Sequence, residues 1–245
     1  DHRDLHSFPT RRSSDLAGPG DPKLITVRGM ELLQQADVLI YAGSLINPEL
    51  VERSPAEVKL NSWGMNLQEI GDATEAAIRD GKNVVRLHSG DPSIFGSIVE
   101  QIDDLGRRGI KVDIVPGVSS MFAASAALQT QLTLKGVSDT VIITRPAGAT
   151  LEKDLIPELS CLGTSLVIFL GTDKLESITS RLECPRDTPA AVVYHASWPD
   201  QKIVRGTVED IAARAKKAGI ERTALILIGG IVDPFTRYDR SVLYS

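Results

Sequence analysis

The sequence predicts an α/β protein of two domains with a ligand cleft between them, and three observations predict it. Short apolar runs such as Val38–Tyr41, Val84–Leu87 and Ala224–Ile228 alternate with stretches of helical periodicity through short connections, the pattern of a sheet covered by helices. Small-residue loops follow several of those runs, where an open α/β sheet places its ligand. Pro116-Gly117 then separates strict strand–helix alternation from a second half of more antiparallel character. The domains are therefore expected at 17–116 and 117–245.

Composition narrows the classes. A chain of 245 residues holds two compact domains. The net charge of −5 and the lack of any Lys/Arg cluster exclude a nucleic-acid signature. No apolar run approaches the ~20 residues that span a bilayer, so no membrane partner is expected. Cys161 and Cys184 lie far apart and form no C-x-x-C pair, which argues against a zinc or disulfide framework and for the reducing cytoplasm.

Residues 1–16 (DHRDLHSFPTRRSSDL) are polar and basic, lack core periodicity and have no apolar centre of a secretory signal. Phe8–Leu16 reads FPTRRSSDL, which one frame of a common sequencing adapter would encode. We expect a non-native leader here, and read no strand and no metal site (His2, His6) in it.

From Ala17 the elements follow in order. Ala17-Gly18-Pro19-Gly20-Asp21-Pro22 is a glycine-rich turn, and Val27, Met30, Leu33 and Ala36 place a helix over Thr26–Ala36. Val38–Tyr41 is a strand ending at Gly43-Ser44, and Glu57–Leu60 is another. Asn66-Leu67-Gln68-Glu69 is a capping box that opens a helix to Arg79, with Gly81 beyond its end. Val84–Leu87 is a buried strand. It stops at Ser89-Gly90-Asp91-Pro92, a turn or a ligand loop, with Asp91 and Pro92 suited to start a helix over Ser93–Leu105. Lys111–Val115 is the next strand.

Beyond Pro116-Gly117, Ser119–Leu128 is small and alanine-rich, suited to close helix packing. Val141–Thr144 and Leu166–Phe169 are strands. Ala191–Tyr194 and Ile203–Arg205 form a β pair around His195-Ala196-Ser197-Trp198-Pro199. Thr207-Val208-Glu209-Asp210 is expected to cap a helix to Ala218, Gly219 ends it, and Ala224–Ile228 is the last strand.

The chemistry-bearing residues are sparse. The triplet Gly-Asp-Pro occurs at Gly20–Pro22 and Gly90–Pro92, and two such loops at strand ends could face one crevice. His88 adjoins the second loop as a base or a structural group, and His195 has no second ligand at metal spacing. No G-x-S-x-G elbow and no G-x-x-x-x-G-K-[ST] loop is present. Trp63 and Trp198 lie in polar loops, where a large ring suggests a ligand or an interface. Arg86, Lys135, Arg145, Lys202 and Arg205 are cations that could meet an acidic ligand. Physics alone reaches a ligand cleft and no reaction.

AGPGDPKLIT, YAGSLINPEL, NSWGMNLQEI, VVRLHSGDPSIFGS, PGVSS and YHASWPDQKIVRGT, in this order, resemble the tetrapyrrole (corrin/porphyrin) methylase family, a class III S-adenosylmethionine (SAM) methyltransferase fold. AGPGDP and SGDP are family-wide. YAGSLINPEL, NSWGMNL and ASWPDQKIVRGT resemble the branch acting on C11 of precorrin-4 or cobalt-precorrin-4 in cobalamin biosynthesis. The rivals are a sibling acting at another ring carbon and a tetrapyrrole carrier that does not methylate. The resemblance implies SAM in the cleft, a corrin-precursor substrate, a homodimer and no protein-bound metal. It also implies cofactor contacts at Pro19, at Ser89, Gly90, Asp91 and Ile94, at Ser119 and Ser120, and at Leu170 and Ala196. It names no catalytic base. The polycarboxylate substrate turns the scattered cations into expected clamps. Relatives begin with an apolar strand where this chain has Ser13-Ser14-Asp15-Leu16, so lower stability and weaker cofactor affinity are expected than with an apolar start.

Overall fold

The computed structural model describes residues 12–233 and 235–240, with side chains from residue 17 onward except that of residue 44. The chain forms two compact units, one up to Ser120 and one from Met121. Each carries a five-stranded sheet.

The first unit has strands β1 (Arg12–Leu16), β2 (Val38–Tyr41), β3 (Val58–Asn61), β4 (Val84–His88) and β5 (Asp113–Ile114). They are ordered β3-β2-β4-β1-β5 and all run parallel. Helices α1 (Val27–Leu33), α2 (Pro48–Arg53), α3 (Leu67–Arg79) and α4 (Ile98–Arg107) connect them. Alternating side chains of β2 and β4 divide between two apolar clusters. Leu39, Val85 and Leu87 join Leu33 and Leu50, while Val38, Ile40 and Val84 join Ala77. Burial on both faces explains why these strands read as unbroken apolar runs.

The capping box of α3 is present: the Glu69 N–H donates to Asn66 Oδ1 at 2.9 Å, and the Asn66 N–H donates to Glu69 Oε2 at 2.8 Å. One arginine fastens α3 to α4. Arg108, at the end of α4, donates to Asp72 and Glu75 of α3 and to Asp104. A Cβ on Gly71 would lie 2.3 Å from Asp104 Oδ2, so a larger residue there would push the Asp104 and Arg108 side chains out of this arrangement. Arg86 is buried in β4, where its Nε donates to Gln101 Oε1 at 2.6 Å, and burial pushes its guanidinium down to about 10.

Several expectations are corrected here. Residues 12–16 were read as leader without a strand, yet the backbone forms β1 between β4 and β5, in register from Arg12↔Val84 to Leu16↔His88. Ladder pairing uses N–H and C=O groups, which a polar strand supplies as well as an apolar one. Helix α1 is shorter than Thr26–Ala36. Thr26 is its N-cap, accepting from the Gly29 N–H, and Val27 is exposed while Gly29 faces inward. The helix expected over Ser93–Leu105 begins only at Ile98, because Phe95 (φ 54°) and Ser97 (φ 46°) are left-handed and interrupt it. Strand β5 is two residues long, and α2 was not foreseen at all.

The second unit starts with α5 (Ser120–Ala127) at the boundary. It continues with β6 (Val141–Thr144), α6 (Ile156–Ser160), β7 (Ser165–Ile168), α7 (Leu175–Arg181), β8 (Pro189–Tyr194), β9 (Lys202–Thr207), α8 (Ile211–Lys217) and β10 (Ala224–Ile228). The order is β6-β7-β10-β8-β9, with β6–β7 parallel and the other pairs antiparallel. Its core holds Ile156, Leu166, Ile168, Ile178, Val192, Ile211 and Ile226. Asp210 stands at the N-cap of α8 but does not cap it. Its carboxylate accepts from the Thr207 N–H at 2.9 Å and from Arg214 Nε at 2.6 Å.

Candidate functional site

In the first unit the parallel strands send all their carboxyl ends to one edge. From β1 the chain crosses β4 to reach β2, and from β4 it crosses β1 to reach β5. The neighbours β1 and β4 therefore send their connections in opposite directions, and a crevice opens where they part. Both Gly-Asp-Pro loops sit at that point. Gly18 and Gly90 form an isolated bridge in which the Gly90 N–H donates to the Gly18 carbonyl at 2.9 Å. Both glycines are left-handed, with φ of 70° and 66°. A Cβ on Gly90 would stand 3.8 Å from the Ser120 nitrogen and 3.9 Å from the Ser119 Cα. The hydrogen on Gly90 thus leaves a cradle between its loop and the Ser119-Ser120 turn.

Asp91 fastens that cradle. Its Oδ2 accepts from the Gly117 N–H at 2.9 Å, and its Oδ1 accepts from the Ser93 N–H at 2.9 Å and from the Ser93 hydroxyl. Burial pushes this carboxyl up, but the Ser93 and Gly117 hydrogen bonds outweigh burial and hold it below the ordinary aspartate value. The expected helix-cap role is corrected: Asp91 closes a turn over the next residues, and α4 starts later. What the carboxylate does is lock the loop after β4 to the loop after β5.

The site residues expected in this unit are brought to that one edge. Pro19 and Ser119 are buried, Ser89, Gly90, Asp91 and Ser120 are half-buried around the cradle, and Ile94 is half-buried in the turn that Asp91 closes. Further along, Trp63 stands 79 % exposed after β3, its ring against Gly43. His88, the last residue of β4, is buried.

Leu170 and Ala196 belong to the second unit. Strands β7 and β8 both run antiparallel to β10, so they point the same way and their carboxyl ends share an edge. Leu170 follows β7, 60 % exposed and left-handed with φ 54°. Ala196 follows β8, buried between left-handed His195 (φ 46°) and Ser197 (φ 71°). Sequence reasoning missed what surrounds Ala196. His195 Nδ1 lies 2.9 and 3.0 Å from the two carboxylate oxygens of Asp200, and the imidazole stacks on Tyr194 with centroids 3.8 Å apart. A histidine and an aspartate bracketing a Trp-Pro turn was the available signal.

The cations expected as clamps are engaged within their own units. Arg205 donates to the Leu128 carbonyl at 2.7 Å, Lys135 to the Arg240 carbonyl at 3.2 Å, Arg145 to the Thr150 hydroxyl at 2.7 Å and Lys202 to the Ala218 carbonyl at 3.3 Å. Among the described residues no group of three His, Cys, Asp or Glu could hold a metal ion, and no helix is long and apolar enough to cross a membrane.

The chain has clear relatives among known proteins. The sequence profile of the tetrapyrrole (corrin/porphyrin) methylases matches residues 17–212. The chain belongs to this family. It is 51 % identical over 235 residues to a cobalt-precorrin-4 C(11)-methyltransferase of Methanocaldococcus jannaschii, covering 94 % of this chain and 90 % of that one. The crystal structure of a cobalt-precorrin-4 methyltransferase, a cobalamin biosynthetic enzyme, superposes with TM-score 0.87 at 41 % identity over 91 % of this chain and 96 % of that chain. A uroporphyrin-III C-methyltransferase from Thermus thermophilus, solved with S-adenosyl homocysteine, gives TM-score 0.78 at 29 % identity over 91 % of this chain and 98 % of that chain.

Proposed function

We propose that this protein is a SAM-dependent C-methyltransferase acting on C11 of precorrin-4 or cobalt-precorrin-4 in cobalamin biosynthesis. The observation that carries the reading is the cradle at the β1/β4 switch point, in a chain 51 % identical to a cobalt-precorrin-4 C(11)-methyltransferase. The lower identity to the uroporphyrin-III enzyme, 29 %, favours the C11 reaction over that sibling.

SAM supplies an activated methyl group on a sulfonium, so the chain's own task is binding and alignment. The open backbone of Ser89-Gly90-Asp91 and of Ser119-Ser120 suits the polar end of such a ligand, with Pro19 and Ile94 as apolar neighbours. Leu170 and Ala196 are assigned as further contacts. Asp91 acts here through the loops it ties, since both its oxygens already accept from Ser93 and Gly117. Holding donor and acceptor carbon in line contributes several kcal/mol, roughly 7–11 at best, without a covalent intermediate. The reading extends to a homodimer in the cytoplasm, where the two free cysteines suit a reducing compartment.

The test is turnover of metal-free and cobalt-loaded precorrin-4 side by side, with SAM methyl-labelled and the product analysed by mass and NMR. One label at C11 supports the reading. SAM binding without turnover of either ring, or a label at another carbon, overturns it.

A further inference from the structure

C-methylation by a sulfonium releases one proton. The acceptor carbon's electron pair forms the new C–C bond while the methyl–sulfur electrons return to sulfur, leaving the ring with an added positive charge. Loss of a proton from a ring N–H, or from a ring C–H where cobalt occupies the nitrogens, returns the bonding electrons to the ring and restores its original charge. In the cradle of the first unit Asp91 is not placed to take that proton, because it is committed to Ser93 and Gly117.

The loop after β8 carries a group that is. Asp200 faces Nδ1 of His195, so the neutral ring keeps its proton on Nδ1 and presents Nε2 as an acceptor. The ring is held on two sides, stacked on Tyr194 and tilted against Trp198 at 5.3 Å between centroids. The backbone is fixed as well. The His195 N–H donates to the Thr223 carbonyl, the Trp198 N–H to the His195 carbonyl, and the Ser197 N–H to Gln201 Oε1. Two left-handed residues that are not glycine are kept in place by these contacts, and strain of this kind gathers at functional sites. Ala196, assigned above as a cofactor contact, is the next residue.

We propose that His195, oriented by Asp200, accepts the proton released in the methyl transfer, which rests on the methyltransferase reading above. The imidazolium then returns the proton to water. The charged groups around the ring are Asp200 on its own loop and Lys202 at the start of β9, whose ammonium lies 5.9 Å from the Tyr194 centroid. From the side of β10 the neutral Thr223 carbonyl accepts from the His195 backbone N–H.

His195→Asn separates the two roles of the ring, since its amide still donates to Asp200 but has no acceptor in place of Nε2. We expect H195N to fold and bind SAM like the wild type, with kcat on precorrin-4 lower by about 100-fold. Added imidazole should restore part of the rate to His195→Ala. Asp200→Asn should lower kcat while leaving SAM affinity unchanged, because the ring loses the carboxylate that orients it. H195N with wild-type kcat overturns the proposal and leaves the loop structural, as does a loss confined to melting temperature and SAM affinity. If wild-type protein methylates neither substrate form, the functional reading fails instead.

Discussion

The carboxyl edges of the two sheets are held by different means. At the first edge the two bridged loops meet at left-handed glycines, Gly18 and Gly90, with left-handed Phe95 and Ser97 only further along the second loop, and the loops are joined through backbone N–H groups on one carboxylate. At the second edge the left-handed positions are Leu170, His195 and Ser197, and side chains hold the loop: a stacked imidazole, an aspartate and a tryptophan. Glycine takes such a conformation at no steric cost, whereas other residues lose roughly 1–2 kcal/mol each. The first edge is therefore shaped to expose main chain, and the second to present side chains.

Asp91 has a more deeply buried counterpart in the loop after β6, and the deeper aspartate should matter more. Asp154 accepts from the Ala147 and Ile156 N–H groups and from Arg181, and its side chain is 1 % exposed. Asp154→Ala should lower unfolding free energy by about 2–3 kcal/mol, read by urea denaturation. A loss below about 1 kcal/mol would show that this loop does not depend on it.

Gly90→Ala tests the first edge directly. The left-handed φ makes alanine cost about 1–2 kcal/mol, and its methyl would enter the cradle. SAM affinity by equilibrium dialysis should fall about tenfold, or 1.4 kcal/mol. Stability loss with unchanged affinity would move the cofactor elsewhere.

Asp91→Asn should cost about 1 kcal/mol near neutral pH, and the deficit should depend on pH. The folded-state value of Asp91 is depressed, so its contribution is full above the ordinary aspartate value near 4 and is lost as pH falls through the folded value. Melting curves of wild type and D91N should thus converge below about pH 4. A constant gap would mean that the amide replaces the carboxylate at no electrostatic cost. The smallest effect is expected at exposed Leu170, where glycine relieves the left-handed strain but adds freedom to the unfolded chain. L170G should shift stability by less than about 1 kcal/mol, and a larger loss would reveal packing at this position.

The sequence made the regular parts of the fold legible where one local rule dominated. Asn66 and Glu69 spell a capping box, Gly81 and Gly219 end helices with positive φ, and the strands buried on both faces read as apolar runs. Reading failed where tertiary context decides. β1 is built from RSSDL because the sheet supplies its pairing partners on both sides. Short helices such as α2, α6 and α7 give too few turns for a periodic signal. At the site, the Gly-Asp-Pro repeat was visible, but the use of Asp91 was not, since its partner Gly117 lies far along the chain. The His195–Asp200 contact spans a turn and follows neither the helical nor the strand period.

The position of β1 has a consequence for how the first unit assembles. Its two neighbours, β4 and β5, leave any ribosome only after α1, β2, α2, β3 and α3 have emerged, so the slot between them is filled by the segment synthesised before all of these. Such non-local pairing carries a large loop-closure cost and slows folding. Until β4 and β5 arrive, β2 and β3 can pair only with each other and leave an open flank. The glycine bridge between the two loops is therefore among the last contacts to form.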